Sequence, residues 1–467
     1  MRLLQFLFVA ATAVNALVSD VPSLNGLVPV VPTTEGSKKR ASEFQHPGLW
    51  HSHADLEKMR KNALSGVEPW ASAYSRFSND SYSLPSYKMQ GPHPVISRGA
   101  ISNYTSFAND ARAAYQNAIM WYITKDQAHW DRSTTILDAW GTNLTNIIGT
   151  DRSLLVGING VSFVNAAEIM RWEGGWVEQG ASWKGGSGFS IQLYWLFARQ
   201  SIIIGQANYG VASIMGLLNF AVYLDDVALY NYALYAYKND LCAGLSANFD
   251  PTTGQGAEAG RDQAHVQDGL QWLSMASKVV KNQGYDLFTL DNSLLFKASE
   301  YAAKYNLNGT VPYDPSFYRC EAVLVNGPWA NISAENRYIG YQSGRTNPAC
   351  WGLTYYEAAS RGLDVPWTKR AKDLYDTSVE TQNSPVDFLA WADLLFATKL
   401  LGTIVEALNA AGGAETTFFY QAYLLERAHV KDPSRRLIAP DCATYKGKAE
   451  CSFADFVDYI SAQKART

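Results

Sequence analysis

The sequence has little net charge and few cysteines. Lysine and arginine total 39 against 43 acidic residues, which leaves a formal charge of −4 with no basic stripe along the chain. That balance argues against nucleic acid and against an anionic membrane surface as partners. Five cysteines among 467 residues are too few for a disulfide framework, so we expect the fold to rest on a large apolar core.

Several signatures of catalysis are also missing. The chain has no Gly-x-Ser-x-Gly elbow, no P-loop and no Gly-x-Gly-x-x-Gly fingerprint, so nothing supports a serine hydrolase or a nucleotide-dependent enzyme. Three histidines, His46, His51 and His53, lie close together, but no carboxylate or cysteine accompanies them at a metal-ligand spacing. We therefore expect neither a metal ion nor a cofactor.

The first residues carry the pattern of an export signal. Arg2 supplies a positive start, residues 3–14 form an apolar stretch too short to span a bilayer, and Ala16 ends a run of small or permissive residues. This pattern predicts a cleaved signal peptide over residues 1–16 and a secreted, extracellular protein without a membrane anchor.

A second processing signal follows the first. Residues 17–40 are rich in Pro, Gly, Ser, Thr and Val, show no helical period, and end in the basic run 38–40. They predict a pro-segment or linker, with the mature chain beginning at Ala41. The alternative is a solvated charge cluster in a flexible arm.

Sequons and cysteines fit export. Asn-x-Ser/Thr sequons predict glycosylation at five positions, Asn79, Asn103, Asn143, Asn308 and Asn331.

Cys442 and Cys451 are close in sequence, so we expect them to pair and pin a C-terminal tail over residues 436–467. The pairing of Cys242, Cys320 and Cys350 is left open, with one cysteine unpaired by parity. The oligomeric state is also open, and a monomer is the default.

Residues 41–435 read as one helical domain. Amphipathic stretches follow one another from Ser52, a candidate N-cap, and two stretches near residues 190–204 and 207–224 are apolar on all sides. Alternating strands are scarce. We predict an all-α fold of paired helices, an (α/α) toroid or incomplete barrel, with a plain helical array as the alternative.

Two long irregular segments are expected to line a cleft. Residues 173–189 are rich in Gly and Trp and contain Trp176, a candidate platform for a sugar ring. Residues 307–346 contain Tyr313, Tyr318 and Arg345. A surface excursion is the alternative for the first segment. Aromatic residues make up 13% of the chain, which favours a carbohydrate ligand although most aromatics in any protein are core.

The segment from Gly254 to Leu273 contains the strongest candidates for catalytic residues. A helix starting near Arg261 would place Arg261, His265 and Asp268 on one face, opposite an apolar face. The functional interpretation is a general acid or base with charged partners. The alternative is an ordinary solvated face at a helix start.

Other polar residues stand in notable positions. Asn208 lies between two apolar runs, so its amide is expected to be buried and hydrogen-bonded, either as a packing amide or in a site. His93 and Arg98 lie in a Pro-bounded loop and are candidate contacts to a sugar or a carboxylate. Asn165 and Glu168 are better explained as a structural pair on a helix.

Four segments together resemble a known family. GTDRSLLVGINGVSFVNAAEIMRW, GQANYG, EAGRDQAHVQDGLQW and EYAAKYNLNGTVPY are similar to the alginate-lyase-like polysaccharide lyases, whose fungal and bacterial members share the Gly-Arg-Asp-Gln-x-His run. The resemblance covers residues 46–430. It implies an (α/α) toroid and eliminative cleavage of a uronate polymer of the alginate or glucuronan type.

The resemblance also implies roles for residues. Asn208 matches the amide that neutralises the substrate carboxylate, and His265 matches the catalytic histidine. Arg261 and Gln263 match the rest of the motif and are expected to bind or orient the carboxylate. The catalytic tyrosine is expected in the irregular segment over residues 307–346, with Tyr318 as the first candidate and Tyr313 as the second.

One departure stands beside Asn208, where Tyr209 replaces the Trp of the commoner bacterial form. It leaves the identity of the substrate open more than the reaction.

Two further functions remain open on sequence grounds. A glycoside hydrolase on a helical barrel would need two carboxylates facing a cleft, with Glu168, Glu258, Asp262 and Asp268 as candidates. A carbohydrate-binding protein without turnover would use the aromatic residues as stacking platforms. All three functions imply a polysaccharide partner, and the lyase function implies an acidic one.

Overall fold

The computed structural model describes residues 44–99, 101, 103–178, 189–318, 320, 327–337, 350–378 and 390–398. The described residues are mostly helical, so the all-α prediction is confirmed. The helices are α1 His53–Leu64, α2 Trp70–Phe77, α3 Tyr104–Thr124, α4 Gln127–Asn143, α5 Arg152–Trp172, α6 Phe189–Gln192, α7 Arg199–Ser201, α8 Ala207–Tyr223, α9 Val227–Asn239, α10 Leu245–Asn248, α11 Gln263–Asn282, α12 Leu290–Asn306, α13 Trp351–Ser360, α14 Pro366–Ser378 and α15 Ala392–Leu395.

The long helices form two layers. Helices α3, α5, α8 and α11 pack one against the next, while α4 packs against α3 and α5, α9 against α8, and α12 against α11. This is the paired-helix arrangement that the sequence predicts. The chain divides into two compact units, and the first, residues 1–358 with 364–397, holds every described residue with a functional prediction.

The inner helices owe their place to their composition. Of the 17 residues of α8, every one except Tyr209 is buried, as expected for a helix that is apolar all round. Helix α5 is long and apolar enough to cross a membrane by those two measures, but 83% of its apolar window is buried in the protein. Burial against α3 and α8 accounts for its hydropathy.

The last of the described helices packs near the beginning of the chain's first helices. Helix α15 packs against α1 and α2, where Trp391 meets Phe77 edge-on with ring centroids 5.3 Å apart. A cavity of about 40 Å³ lies between the inner helices, large enough for a few water molecules. Its lining comes from all four inner helices and from the segments at residues 50 and 390: Trp50, Arg112, Tyr115, Gln116, Ile158, Val161, Ser162, Met215, Gln271, Trp272, Met275, Ala390 and Trp391.

Most of the local structure that the sequence predicts is confirmed, with one exception. Ser52 caps α1 in a capping box with Asp55, and the irregular parts of residues 307–346 that are described contain no helix. The apolar stretch near residues 190–204, expected to be one buried helix, is instead α6, a π-helical turn Leu193–Ala198 and α7. A π-turn adds a residue to the hydrogen-bonded ring, which periodicity does not reveal.

A two-stranded parallel sheet interrupts the helices. Strand β1, Val95–Ser97, pairs with β2, Asn146–Ile148. At its end, the backbone of Arg98 donates to Ile148 at 3.3 Å and accepts from Asp151 at 3.1 Å. Gly149 makes this possible, because its φ is +103° and an added Cβ would lie 2.0 Å from the carbonyl oxygen of Arg98. The sheet therefore fixes Arg98 beside Asp151.

The structure describes the bonding state of three of the five cysteines. Cys242 and Cys320 form a disulfide, and Cys350 is a buried free cysteine. The predicted Cys442–Cys451 pair lies outside the described residues.

The sequons differ in exposure. Asn79, Asn143, Asn308 and Asn331 are exposed, whereas Asn103 is half-buried. The amide of Asn103 accepts from the backbone of Ser97 at 2.8 Å and donates to that of Val95 at 3.0 Å. Glycosylation at these sites stays a prediction.

Candidate active site

The predicted residues Asn208 and His265 lie at the N-terminal ends of two neighbouring inner helices. Asn208 is the second residue of α8 and is 6% exposed. Its Oδ1 faces α11, where a Cβ added at Gly269 would lie 3.6 Å away. Gly269 is one turn beyond His265, so Asn208 faces the stripe of α11 that bears the histidine. Among the described residues, its Nδ2 has no hydrogen-bond partner.

His265 is held by the residue that caps its own helix. Asp262 is the N-cap of α11 and accepts from the backbone N–H of His265 at 3.0 Å. Its other oxygen lies 2.6 Å from Nδ1 of the ring. Burial alone would raise the pKa of Asp262, but the hydrogen bond and charge of His265 hold that pKa below its usual value. An ionised carboxylate only accepts, so Nδ1 carries the proton and Nε2 is left basic.

Arg261 stands just before this helix and not on it. Because Asp262 is the cap, α11 begins at Gln263, two residues later than the start that would have put Arg261 on its face. The guanidinium of Arg261 instead pairs with Glu258 at 2.9 Å and lies 3.9 Å from Asp262. One cation thus stands beside two buried carboxylates.

Tyr209, to which sequence reasoning gave no role beyond its departure from the family pattern, also lies here. Tyr209 is 41% exposed, and its hydroxyl donates to Asp151 at 2.7 Å. Burial, the hydrogen bond to Asp151 and the charge of Asp151 raise the pKa of Tyr209 to about 12, while the charges of Arg98 and Arg261 act in the opposite direction. The signal in the sequence was that a tyrosine broke an otherwise apolar helix directly after Asn208.

The two tyrosines expected in the loop lie near the same helix start. Tyr313 donates its hydroxyl to the carbonyl of Trp329 at 2.8 Å, and a Cβ added at Gly260 would lie 2.4 Å from that hydroxyl. Tyr318 lies against Gly327, where an added Cβ would be 3.3 Å from its ring. Burial raises the pKa of Tyr313.

Gln255 fixes the loop that carries these tyrosines. Its amide nitrogen donates to the carbonyls of Asp314 and Phe317 at 2.8 and 3.1 Å. Its oxygen accepts from the backbone of Asp314 at 2.7 Å. Gln255 is almost completely buried, so this side chain ties the loop to the turn that precedes Arg261.

Gln263, expected to bind substrate, has an internal role in the structure. It is buried, and its amide nitrogen donates to the carbonyls of Ala259 and Ser333 at 3.3 and 3.1 Å. Its oxygen accepts from Asn306 at 3.2 Å. These contacts join the turn before α11 to α12 and to residues 327–337.

The remaining predicted contacts are spread more widely. Arg98 lies by Tyr209, with its guanidinium over the ring of Tyr104 at 4.9 Å. His93 meets Trp140 edge-on, with ring centroids 5.9 Å apart. Trp176 is 4% exposed and donates to Asp138 at 3.1 Å, so its ring is not presented to solvent. Arg345 lies outside the described residues.

The three N-terminal histidines do not converge. His46 contacts Glu168 at 2.7 Å, His51 contacts the hydroxyl of Tyr115 at 2.5 Å, and His53 contacts Glu173 at 2.9 Å. Within the described ranges, no three His, Cys, Asp or Glu side chains are grouped to hold a metal ion.

Three of the four hydrolase candidates are engaged by other residues. Glu168 lies 16 residues along α5, about 24 Å from the start of that helix, and accepts from His46 and from the backbone of Gly48. Glu258 pairs with Arg261, and Asp262 orients His265.

The arrangement has a definite chemical capacity. It brings together an unpaired amide donor, a histidine with a basic Nε2, and an arginine. Tyr209, whose raised pKa keeps it protonated at neutral pH, follows Asn208 on α8. Such a set can hold a carboxylate, remove a proton beside it and return a proton to a leaving oxygen.

No protein-family model matches the sequence, and no curated protein matches it. An alginate lyase from Bacteroides ovatus is 10% identical, with 76% of this chain and 100% of that chain covered and a TM-score of 0.47.

Two variants of alginate lyase A1-III complexed with tetrasaccharide are also similar, both at 14% identity. The tyrosine-to-phenylalanine variant covers 78% of this chain and 99% of its own, with a TM-score of 0.48. The histidine-to-alanine variant covers 74% and 94%, with a TM-score of 0.46. The chain is thus similar, at low identity, to solved alginate lyases.

Proposed function

We propose that this protein is a secreted polysaccharide lyase that cleaves a uronate-containing polymer, of the alginate or glucuronan type, by β-elimination. The observation that carries the proposal is that the Asp262–His265 pair and Asn208, whose Nδ2 has no partner among the described residues, lie at the N-terminal ends of two inner helices that pack together. The Gly-Arg-Asp-Gln-x-His run and its companion segments support the same reaction.

The first requirement of the reaction is to neutralise a carboxylate. The C5 proton of a uronate is only weakly acidic, because the attached carboxylate already carries negative charge. Nδ2 of Asn208 is buried and points at no acceptor among the described residues, so it is free to donate to a substrate carboxylate. Such a donor is worth most in a buried site, where the charge that develops at C5 is poorly solvated. Arg261 adds a positive charge nearby.

The second requirement is a base for the C5 proton. Asp262 fixes the proton of His265 on Nδ1, which leaves Nε2 as the acceptor. The ring is partly exposed, so substrate can reach it. A positioned histidine of this kind contributes about 10²- to 10⁴-fold to a rate.

The third requirement is a proton for the departing O4. The family resemblance assigns this step to a tyrosine of the loop, Tyr318 or Tyr313. As the base removes the C5 proton, the electron pair forms the C4–C5 double bond, the C4–O4 bond breaks, and the tyrosine protonates O4. No water is consumed, so the product ends in an unsaturated uronate.

Secretion of the enzyme agrees with such a substrate, because uronate-containing polymers are found outside cells. The pattern of residues 1–16 and the sequons support secretion. A role outside the cell would suit a chain with few cysteines and a large helical core.

The test is to incubate the purified protein with alginate, glucuronan, hyaluronan, chondroitin and pectic chains and to follow ultraviolet absorbance. A rise with at least one polymer, abolished in His265→Ala, is expected. Reducing ends without a rise in absorbance would favour a hydrolase. Glycan binding without product, unchanged in His265→Ala and Asn208→Ala, would favour a binding protein.

A further inference from the structure

We propose that Gln255 is the positioning residue for the tyrosine that protonates O4, and that it acts in the same way whether that tyrosine is Tyr318 or Tyr313. This role rests on the proposed function and deepens it, because it concerns how the acid is held in place. No motif in the sequence assigns a role to Gln255.

The side chain of Gln255 holds the two peptide groups that flank the tyrosines. Its oxygen accepts from the backbone N–H of Asp314, which belongs to the peptide that follows Tyr313. Its nitrogen donates to the carbonyl of Asp314 and to that of Phe317, which belongs to the peptide that precedes Tyr318. Because each peptide group is planar, these bonds restrict the direction in which each tyrosine leaves the backbone.

The amide of Gln255 is well suited to this task. A glutamine side chain offers two N–H donors and an acceptor oxygen in one plane, and all three kinds of bond are made here, at 2.8, 3.1 and 2.7 Å. Gln255 is 1% exposed, so these bonds are shielded from competing water. A carboxylate in its place could accept but could not donate.

A well-fixed turn carries Gln255. Asp250 begins the turn: its side chain accepts from the backbone N–H of Thr253 at 2.9 Å, and its own backbone N–H donates to the carbonyl of Gln255 at 2.9 Å. Gly254 has a φ of +82°, and an added Cβ there would lie 2.7 Å from the carbonyl oxygen of Lys297 on α12. The side chain of Gln255 therefore starts from a backbone that is pressed against a helix.

The same turn contacts the helix that bears the base. Gly256 packs against Val266 of α11, because an added Cβ at Gly256 would lie 3.0 Å from both methyl carbons of that valine. Val266 directly follows His265. The backbone of the turn thus meets the first turn of α11, while the side chain of Gln255 meets the loop. Two close contacts set the separation of base and acid.

The loop is also fastened on either side of the residues that Gln255 contacts. Tyr301 donates its hydroxyl to the carbonyl of Pro312 at 2.5 Å, and Cys320 is joined to Cys242 by the disulfide. These fastenings indicate an acid that is in place before substrate binds. Such preorganisation matters because a displacement of about 1 Å can cost about 10²-fold in rate.

The experiment compares Gln255→Ala with Gln283→Ala as a matched control. Gln283 follows the opposite end of α11, about 27 Å along the helix from His265. Its amide makes the same three kinds of bond: it accepts from the backbone N–H of Gln45 at 2.9 Å and donates to the carbonyls of Gln45 and Gly48 at 3.1 and 2.8 Å. Its loss removes a similar clamp far from the base.

The two variants are expected to differ in kcat on whichever uronate polymer the parent cleaves. Gln255→Ala should lower kcat by about 10- to 10²-fold and leave KM within about threefold of the parent, because the substrate carboxylate is bound elsewhere. Gln283→Ala should keep the parental kcat, although both variants lower the midpoint of thermal unfolding. Rates are measured well below those midpoints. Equal kcat values for the two variants would overturn the role.

A double-variant cycle shows whether Gln255 acts through a tyrosine. Tyr318→Phe and Tyr313→Phe are measured first, and the one that loses about 10²-fold or more in kcat identifies the acid. Adding Gln255→Ala to that variant is expected to cost less than about twofold more, since the hydroxyl that it positions is already gone. Losses that multiply in full, or no loss in either tyrosine variant, would overturn the proposal.

Gln255→Glu keeps the shape of the side chain in case the alanine variant does not fold. Its carboxylate still accepts from the backbone N–H of Asp314 but has no donor for the carbonyls of Asp314 and Phe317. The ratio of its kcat to that of the parent should be low at neutral pH and rise as pH falls, because a protonated carboxyl donates again. A variant that matches the parent at every pH would show that Gln255 does not position the acid.

Failure of this role is distinguishable from failure of the proposed function. If the parent protein makes no unsaturated product from any polymer, the function is wrong. If the parent makes that product, and a loop-tyrosine variant loses activity while Gln255→Ala does not, only the role of Gln255 is wrong.

Discussion

Asp262 contacts His265 twice, through the backbone N–H at 3.0 Å and through the ring Nδ1 at 2.6 Å. One carboxylate therefore both starts helix α11 and sets the tautomer of its histidine. One oxygen of Asp262 caps the helix and the other holds the ring, so capping and the proposed catalytic role can be separated by a substitution that preserves capping.

Asp262→Asn is that substitution. Asparagine caps helices as well as aspartate does, so the midpoint of thermal unfolding should change little. Its amide can no longer enforce a proton on Nδ1, and kcat is expected to fall by about 10²- to 10⁴-fold. Calorimetry and initial rates measured on the same preparation check both halves. A fall in stability with kcat preserved would assign Asp262 to folding alone.

Asn208→Asp probes carboxylate neutralisation. The change is nearly isosteric but places a negative charge opposite the substrate carboxylate, so activity at neutral pH should fall by about 10²- to 10³-fold. Partial recovery is expected as pH falls, because protonation restores a donor. Asn208→Ala should show the loss without the recovery. Equal activity of Asn208→Asp and the parent would contradict the assignment.

The Cys242–Cys320 disulfide is expected to support the site as well as the fold. It closes a separation of 78 residues, which corresponds to about 4 kcal/mol of stability from loop entropy. Cys242 also accepts from the backbone of Ala207 at 2.8 Å, where φ is +46° just before Asn208.

Replacement of both cysteines by serine should lower the unfolding midpoint and, well below that midpoint, raise KM. Adding a reductant to the parent should reproduce both effects, whereas it should leave the double variant unchanged. A double variant with parental KM would limit the disulfide to stability.

His46 should make stability depend on pH. Burial alone would lower its pKa, but hydrogen bonds and charges from Asp225 and Glu168 raise the pKa of His46 from 6.5 to about 9. The folded state then holds the proton more tightly than the unfolded state. The stabilisation is full below pH 6.5 and is lost as pH rises through about 9.

The free energy of unfolding in urea, measured across that range, checks this expectation. His46→Gln should remove most of the decline. It should also cost about 3–5 kcal/mol at neutral pH, because it leaves Glu168 buried without its cation. A parental curve that is flat between these pH values would show that His46 is not charged in the folded state.

Helical periodicity predicted most of the fold. The apolar run from Ala207 to Tyr223 is an inner helix that packs against α5, α9 and α11 and buries every residue except Tyr209. Tyr301 and Tyr305 lie on α12 and are buried. What periodicity could not predict was the π-turn at Leu193–Ala198 and the sheet formed by β1 and β2, since three-residue strands carry too few positions for a pattern.

Spacing along the sequence could predict contacts in the site only where the residues are close together, and Asn208 was found through the family resemblance. Asp262 and His265 are three apart, so the run that contains them reveals their contact. Tyr209 and Asp151 are 58 apart, and only the packing of α5 against α8 brings them together. Gln263 fits the motif by sequence, but its partners Ala259, Ser333 and Asn306 lie on three different segments.

The most direct test of the central claim is mass spectrometry of the products formed in water labelled with heavy oxygen. β-Elimination consumes no water, so the account predicts an unsaturated uronate at the new non-reducing end, no heavy oxygen incorporated by cleavage at the new reducing end, and none of this product from His265→Ala. A saturated fragment with heavy oxygen incorporated at cleavage would show hydrolysis and contradict the account.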